Sequence, residues 1–122
     1  ATLASVLAQR LVRRMCPSCR EEYTASIEEL KAMGVKSSKA MKLYRKAGCD
    51  KCGFTGYKGR VGIHELLIPD DEMRELIGRE AIEFELFRHA RKKCNLKTLK
   101  ESGIRKVLKG VCDYAQVLEA TL

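Results

Sequence analysis

Two Cys-x-x-Cys pairs, Cys16–Cys19 and Cys49–Cys52, stand 29 residues apart in a chain of 122. Each pair can deliver two sulfurs from one tight turn. Four thiolates delivered as two such turns suit a tetrahedral Zn²⁺ site with bonds of about 2.3 Å. Pro17 and Gly53 fit the turn backbone, and Arg20 and Lys51 offset the negative charge of the sulfurs. Metal binding is worth roughly 10–16 kcal/mol in small zinc modules, so such a site would hold residues 16–60 together. Two other chemistries compete for these cysteines. They could be unrelated buried thiols, or Cys-Pro-Ser-Cys could be a redox dithiol, which expects a strand before it and a helix after it.

The remaining reactive side chains carry less. His64 reads as a structural residue on a strand, since four cysteines already complete a shell. His89 lies among Arg88 and Arg91 and reads as an exposed helix residue. Cys94 and Cys112 stand singly near helix ends and read as small apolar core residues. The chain holds no Gly-x-x-x-x-Gly-Lys-Ser/Thr phosphate loop. No Ser/His/Asp set is apparent, so no catalytic residue is assigned to this chain alone.

These residues need elements to position them. Residues 1–15 read as the tail of a helix with Leu3, Val6, Leu7, Leu11 and Met15 as its apolar set. Arg10 and Arg13 on it are candidate contacts to a subunit or partner. Residues 16–60 read as the zinc module. Within it, Ser26-x-x-Glu29 starts a short helix over 27–33 that Gly34 stops. The stretch 42–47 reads as extended, and Gly56, Gly59 and Gly62 punctuate a hairpin-like run into a strand over 61–67. Residues 61–122 read as that strand plus a bundle of four short helices. Their starts are marked by Pro69-Asp70, the apolar arc from Ile82 to Cys94, Thr98-x-x-Glu101 and Asp113-x-x-Gln116. The expected fold class is α+β, mainly helical, with short strands around the four cysteines.

Composition narrows the partners. The 24 Lys and Arg against 16 Asp and Glu leave a formal charge of +8, which suits nucleic acid, anionic lipid or an acidic protein surface without choosing among them. A zinc-ribbon nucleic-acid binder is the alternative reading of four cysteines in a basic chain. Against it, the basic residues are dispersed, and only Tyr44, Phe54 and Tyr57 lie near the cysteines as stacking surfaces. No secretory signal precedes the cysteines, so reduced thiols in a cytoplasmic setting are expected. The chain begins without Met, inside an apolar run, and reads as a piece of something longer.

The run Gly48-Cys49-Asp50-Lys51-Cys52-Gly53-Phe54-Thr55-Gly56-Tyr57-Lys58-Gly59-Arg60-Val61-Gly62-Ile63-His64-Glu65-Leu66-Leu67 resembles the tetracysteine motif of the bacterial ATPases of type II secretion and type IV pilus assembly, the GspE/PilB/PulE group. Upstream, Leu7 to Cys19 is similar to the segment in which that family leaves its RecA-like core and enters the first cysteine turn. Downstream, Ala90, Leu99, Gly103, Lys106-Val107 and Gly110 fit its C-terminal helices. The sequence departs from the pattern at Cys94-Asn95, where a glycine turn is usual, and at Val111-Cys112, in place of Gly-Thr. The resemblance implies that Cys16, Cys19, Cys49 and Cys52 are zinc ligands and that Arg60 faces a subunit or partner. It also implies a parent that is a hexameric cytoplasmic ATPase, docked on a platform protein of the bacterial inner membrane. Its ATP and Mg²⁺ sites would lie in the core before residue 1.

Overall fold

The computed structural model of the chain describes residues 6–94 and 96–122. Its first element overturns an expectation. Where a helix was read over 1–15, Val6–Met15 forms a strand, β1, paired antiparallel with β4 (Tyr57–Leu67). The positions 1–5, Leu3 among them, lie outside the described residues. Leu7, Leu11 and Met15 recur every four residues, which marks a helix face but is also an even number and so one face of a strand. The partner strand decides between them. The ladder runs from Val6↔Leu67 to Arg13↔Arg60, with Leu7 and Leu11 exposed on one face and Val12 buried on the other. A bulge between Arg13 and Met15 then shifts the alternation, so that Met15 turns inward and is 1% exposed. The bulged Arg14 donates from Nε to the Lys58 carbonyl at 3.0 Å.

Between β1 and β4 the chain makes an excursion. β2 (Glu21–Ala25) pairs antiparallel with β3 (Met41–Arg45), and α1 (Ile27–Ala32) joins them. Ser26 caps α1, accepting from the Glu29 amide at 3.1 Å. Glu29 does not close a capping box. Its carboxylate accepts instead from the Tyr23 hydroxyl at 2.7 Å, and burial together with Glu29 pushes that phenol up to about 12.

Four helices follow: α2 (Asp71–Gly78), α3 (Glu83–Lys93), α4 (Leu99–Leu108) and α5 (Tyr114–Thr121). Asp70, Thr98 and Asp113 cap α2, α4 and α5 through their side chains. Helices α4 and α5 lie on the β1–β4 ladder. They approach one another closely at Gly103, where a Cβ would fall 2.6 Å from Val117 Cγ1. One buried cluster draws Val12, Ala25, Leu30, Leu43, Ile63, Val107, Cys112 and Val117 from seven elements and the α4–α5 turn. A second, small cluster of Met73, Ala90 and Leu96 sits between α2 and α3. The fold is α+β, as the sequence suggests.

His89 departs from its expected exposure. It is 9% exposed, with Nε2 2.8 Å from Asp70 Oδ1, because the carboxylate that caps α2 also receives the imidazole from α3. The Met73 amide first, and His89 next, hold the Asp70 carboxyl below its usual range. Cys112 is fully buried as expected, and burial pushes its thiol up to about 11. Cys94 is only half-buried, and Asn95 lies outside the described residues.

Candidate metal centre

The two ladders meet at the cysteines. Cys16 follows β1 directly and Cys19 precedes β2, while Cys49 follows β3 and Cys52 precedes β4. The four sulfurs all lie within 4.8 Å of one another. Cys16 to Cys49 and Cys49 to Cys52 measure 3.8 Å, and Cys19 to Cys52 measures 3.9 Å. A tetrahedron with metal–sulfur bonds of about 2.3 Å has edges of about 3.8 Å. The cluster therefore has the size of a four-thiolate shell, far looser than disulfides, and all six cysteines are free thiols.

Local sequence builds each turn. In the first, the Cys16 carbonyl accepts from the amides of Cys19 and Arg20 at 3.3 and 3.0 Å, the tight turn expected of Cys-Pro-Ser-Cys. A strand does precede this pair, but β2 follows it where a redox dithiol would need a helix. In the second, Asp50–Cys52 forms a single 3₁₀ turn. Cys52 Sγ accepts from the amides of Cys49 and Gly56, both at 3.3 Å. Gly56 reaches that position with φ +81, and a Cβ there would lie 2.8 Å from Lys46 Cβ, so only glycine fits. Its role as an amide donor to sulfur escaped the sequence reading. The signal was the Thr55-Gly56 pair, three and four residues past Cys52.

These donors set the sulfur electrostatics. Backbone hydrogen bonding, led by the Cys49 amide, draws Cys52 down to about 6. Burial pushes Cys16 up, yet the Ser18 amide and the Cys19 and Cys49 thiols outweigh it and leave Cys16 below the ordinary thiol value. Cys19 is pushed up to about 12, first by burial and then by the sulfurs around it. Four sulfurs this close cannot all ionise without a counter-charge, and a divalent cation supplies it. The donor set fits a thiophilic ion such as zinc.

The helical layer grips the centre from outside. The Met15 amide donates to the Val111 carbonyl at 2.9 Å. Arg20 stacks 4.2 Å over the Tyr44 ring and donates to the Gly110 carbonyl at 2.5 Å. The arginines singled out from sequence fall elsewhere on the sheet. Arg13 and Arg60 face each other directly across the ladder, both exposed, with Arg13 5.7 Å over the Tyr57 ring. Arg10 pairs with Ile63 on the opposite face and donates to its neighbour's carbonyl. His64 is exposed on β4, opposite Gln9.

A sequence profile described as "Type II/IV secretion system protein" matches residues 1–119. The chain belongs to this family. It is 42% identical over 121 residues to the type II secretion system ATPase E of Vibrio cholerae, covering 99% of this chain and 24% of that protein. It is 44% identical to the type II secretion system protein E of Pseudomonas aeruginosa, with the same coverage. It is also 44% identical over 126 residues to the type IV pilus assembly ATPase PilB of Thermus thermophilus, covering 14% of that protein. The chain thus spans about a quarter of the length of its secretion relatives, and less of the pilus one. Among the described residues no helix is long and apolar enough to cross a membrane.

Proposed function

We propose that this chain is the zinc-stapled, non-catalytic C-terminal region of a secretion or pilus-assembly ATPase. Cys16, Cys19, Cys49 and Cys52 would hold the ion. The observation that carries this reading is the four-sulfur cluster of tetrahedral size at the junction of two ladders, in a chain of the type II/IV secretion family. Zinc bound by four thiolates supplies cross-linking and no open coordination position, so its role is structural. What the residues themselves do is mechanical. β1 runs straight into the first cysteine turn, and β4 emerges from the second. Fixing the two turns fixes the excursion as a rigid projection from the ladder, and Arg20 and Met15 lock that projection onto the α4–α5 turn.

The parent would be a hexameric cytoplasmic ATPase whose hydrolytic core moves this region against a neighbouring subunit and an inner-membrane platform protein. The opposed Arg13 and Arg60 are the contacts we assign to an acidic partner surface, with Arg10 on the other face. Metal analysis of the purified chain tests the staple, with one zinc lost in a Cys49→Ser/Cys52→Ser double variant. In the full-length ATPase the same variant should keep nucleotide binding and lose secretion or piliation. Zinc-free protein with four freely titrating thiols in the native fold would refute the staple. Tight, salt-sensitive binding of nucleic acid would transfer the chain to the ribbon class.

A further inference from the structure

The α2–α3 pair carries a second convergence of metal-binding side chains, on elements that contribute nothing to the four-cysteine cluster. A carboxylate oxygen of Asp70, a ring nitrogen of His89 and Sγ of Cys94 lie within 4.8 Å of one another. They come from the residue before α2, from the body of α3 and from the residue that ends α3. His89 Nε2 stands 2.8 and 3.1 Å from the two oxygens of Asp70. The imidazole is the buried polar side chain of the described residues, 8% exposed, while the Asp70 carboxylate is 41% exposed. The cluster is therefore walled by the helices and open on one side.

Three features go beyond a histidine paired to a helix cap. The Cys94 thiol joins the pair, hydrogen-bonded to the Asp70 carboxylate, so a third metal-binding group converges where a capped histidine needs only two. The other ring nitrogen, His89 Nδ1, faces Glu72 Oε2 at 3.9 Å. That separation is beyond hydrogen-bond length. The Glu72 side chain is 66% exposed, however, and a small turn would set its carboxylate behind the free nitrogen, as metal-bound imidazoles are oriented. Finally, the α2–α3 core is small, with Met73, Ala90 and Leu96 buried and Leu67, Ile77, Leu86 and Cys94 partly buried against them. A clip from the start of α2 to the end of α3 would close a helix pair with little apolar core of its own.

The geometry points to a second metal site: Asp70, His89 and Cys94 bind one zinc-class divalent ion, Glu72 orients the imidazole, and the fourth position faces solvent. One sulfur, one imidazole and one carboxylate form a borderline donor set that favours Zn²⁺ or Co²⁺ over Mg²⁺ or Ca²⁺.

Metal stoichiometry after stripping and equilibrium dialysis against Zn²⁺ tests this, with folding checked by circular dichroism. The wild-type chain should hold two equivalents, and Cys94→Ala and His89→Gln should each hold one. Glu72→Gln should keep both but weaken the second by about 10–100-fold, the usual effect of removing an orienting partner. Titration with Co²⁺ should show two spectral steps in the wild type, with the single-thiolate step missing from Cys94→Ala. A wild-type chain that stops at one equivalent, with cobalt spectra that Cys94→Ala leaves unchanged, overturns the site. Where a variant misfolds, the wild-type cobalt titration decides, since a step with single-thiolate character belongs to this site and a four-thiolate step to the other. A Cys16→Ser/Cys52→Ser chain that still holds one Cys94-dependent equivalent would uphold this site, and would do so even if the four-cysteine cluster proved to bind nothing.

Discussion

At Glu101 a single carboxylate oxygen serves three donors. Oε1 accepts from the Thr98 amide at 3.0 Å, from the Thr98 hydroxyl at 3.1 Å and from the Arg91 guanidinium. The Thr98 amide first, and then Arg91, hold this carboxyl below its ordinary value. A carboxyl lowered by folding stabilises the fold above its unfolded value and loses that contribution as pH falls through the lowered one. Glu101→Gln keeps the box's acceptor and removes its charge, so it should cost about 0.2–1 kcal/mol at neutral pH, the worth of a part-exposed ion pair. The gap between wild type and variant should close as pH drops below the ordinary 4.5, which urea melts across pH 3–7 would reveal. A constant gap would mean that the box acts through packing alone. Cys52 is the other residue whose electrostatics can be read directly. Amide donors, led by Cys49, draw its thiol down to about 6, whereas burial and the surrounding sulfurs push Cys19 up to about 12. Alkylation of metal-free native protein should label Cys52 well before Cys19, and equal rates would contradict the amide donors from Cys49 and Gly56.

Elements differ in how far local sequence determines them. Gly103 shows the packing limit. A methyl there would meet Val117 Cγ1 and Cγ2 at 2.6 and 2.8 Å, so Gly103→Ala should destabilise by about 1–3 kcal/mol, as overpacking does. Val117→Ala in the same chain should recover part of that loss, a coupling that thermal melts of the double variant would expose. The β1–β4 ladder shows an electrostatic limit. Arg13 directly opposes Arg60, and like charges facing across strands cost about 0.2–1 kcal/mol. Arg60→Glu should stabilise the isolated chain by that order while impairing assembly of the parent, if the pair serves an acidic partner. Caps were legible in the sequence because they act over three residues. Ser26, Asp70, Thr98 and Asp113 each start a helix where expected. β1 was not legible, because a four-residue apolar spacing suits helix and strand alike and its partner β4 lies more than forty residues downstream. Nor was the burial of His89, whose basic neighbours suggest a solvated face while its partner Asp70 sits on another element.

On the scale of the molecule, the metal centre and the main core are mechanically one. Ala25, Leu30 and Leu43 of the excursion share a buried cluster with Val107 and Val117 of the helical layer. The Cys16 turn is tied to the same layer through the Met15 amide on Val111 and Arg20 on Gly110. The α2–α3 pair has its own cluster. Removing metal from the four cysteines should therefore act unevenly. Crowded sulfurs would regain protons and push the two turns apart, loosening β2, α1 and β3 first. The loss should then reach α4 and α5 through the shared core, while α2 and α3 keep their protection. Native-state hydrogen exchange with and without a strong chelator would map this order, since each amide reports its own opening equilibrium. Uniform loss across all helices would mean that the chain unfolds as one cooperative unit. Protection unchanged in β2 and β3 would mean that the two-ladder junction stands without its ion. The uneven pattern is what a lever requires, because a projection that stays rigid only while its four sulfurs are clamped can pass motion from β1 to the α4–α5 layer.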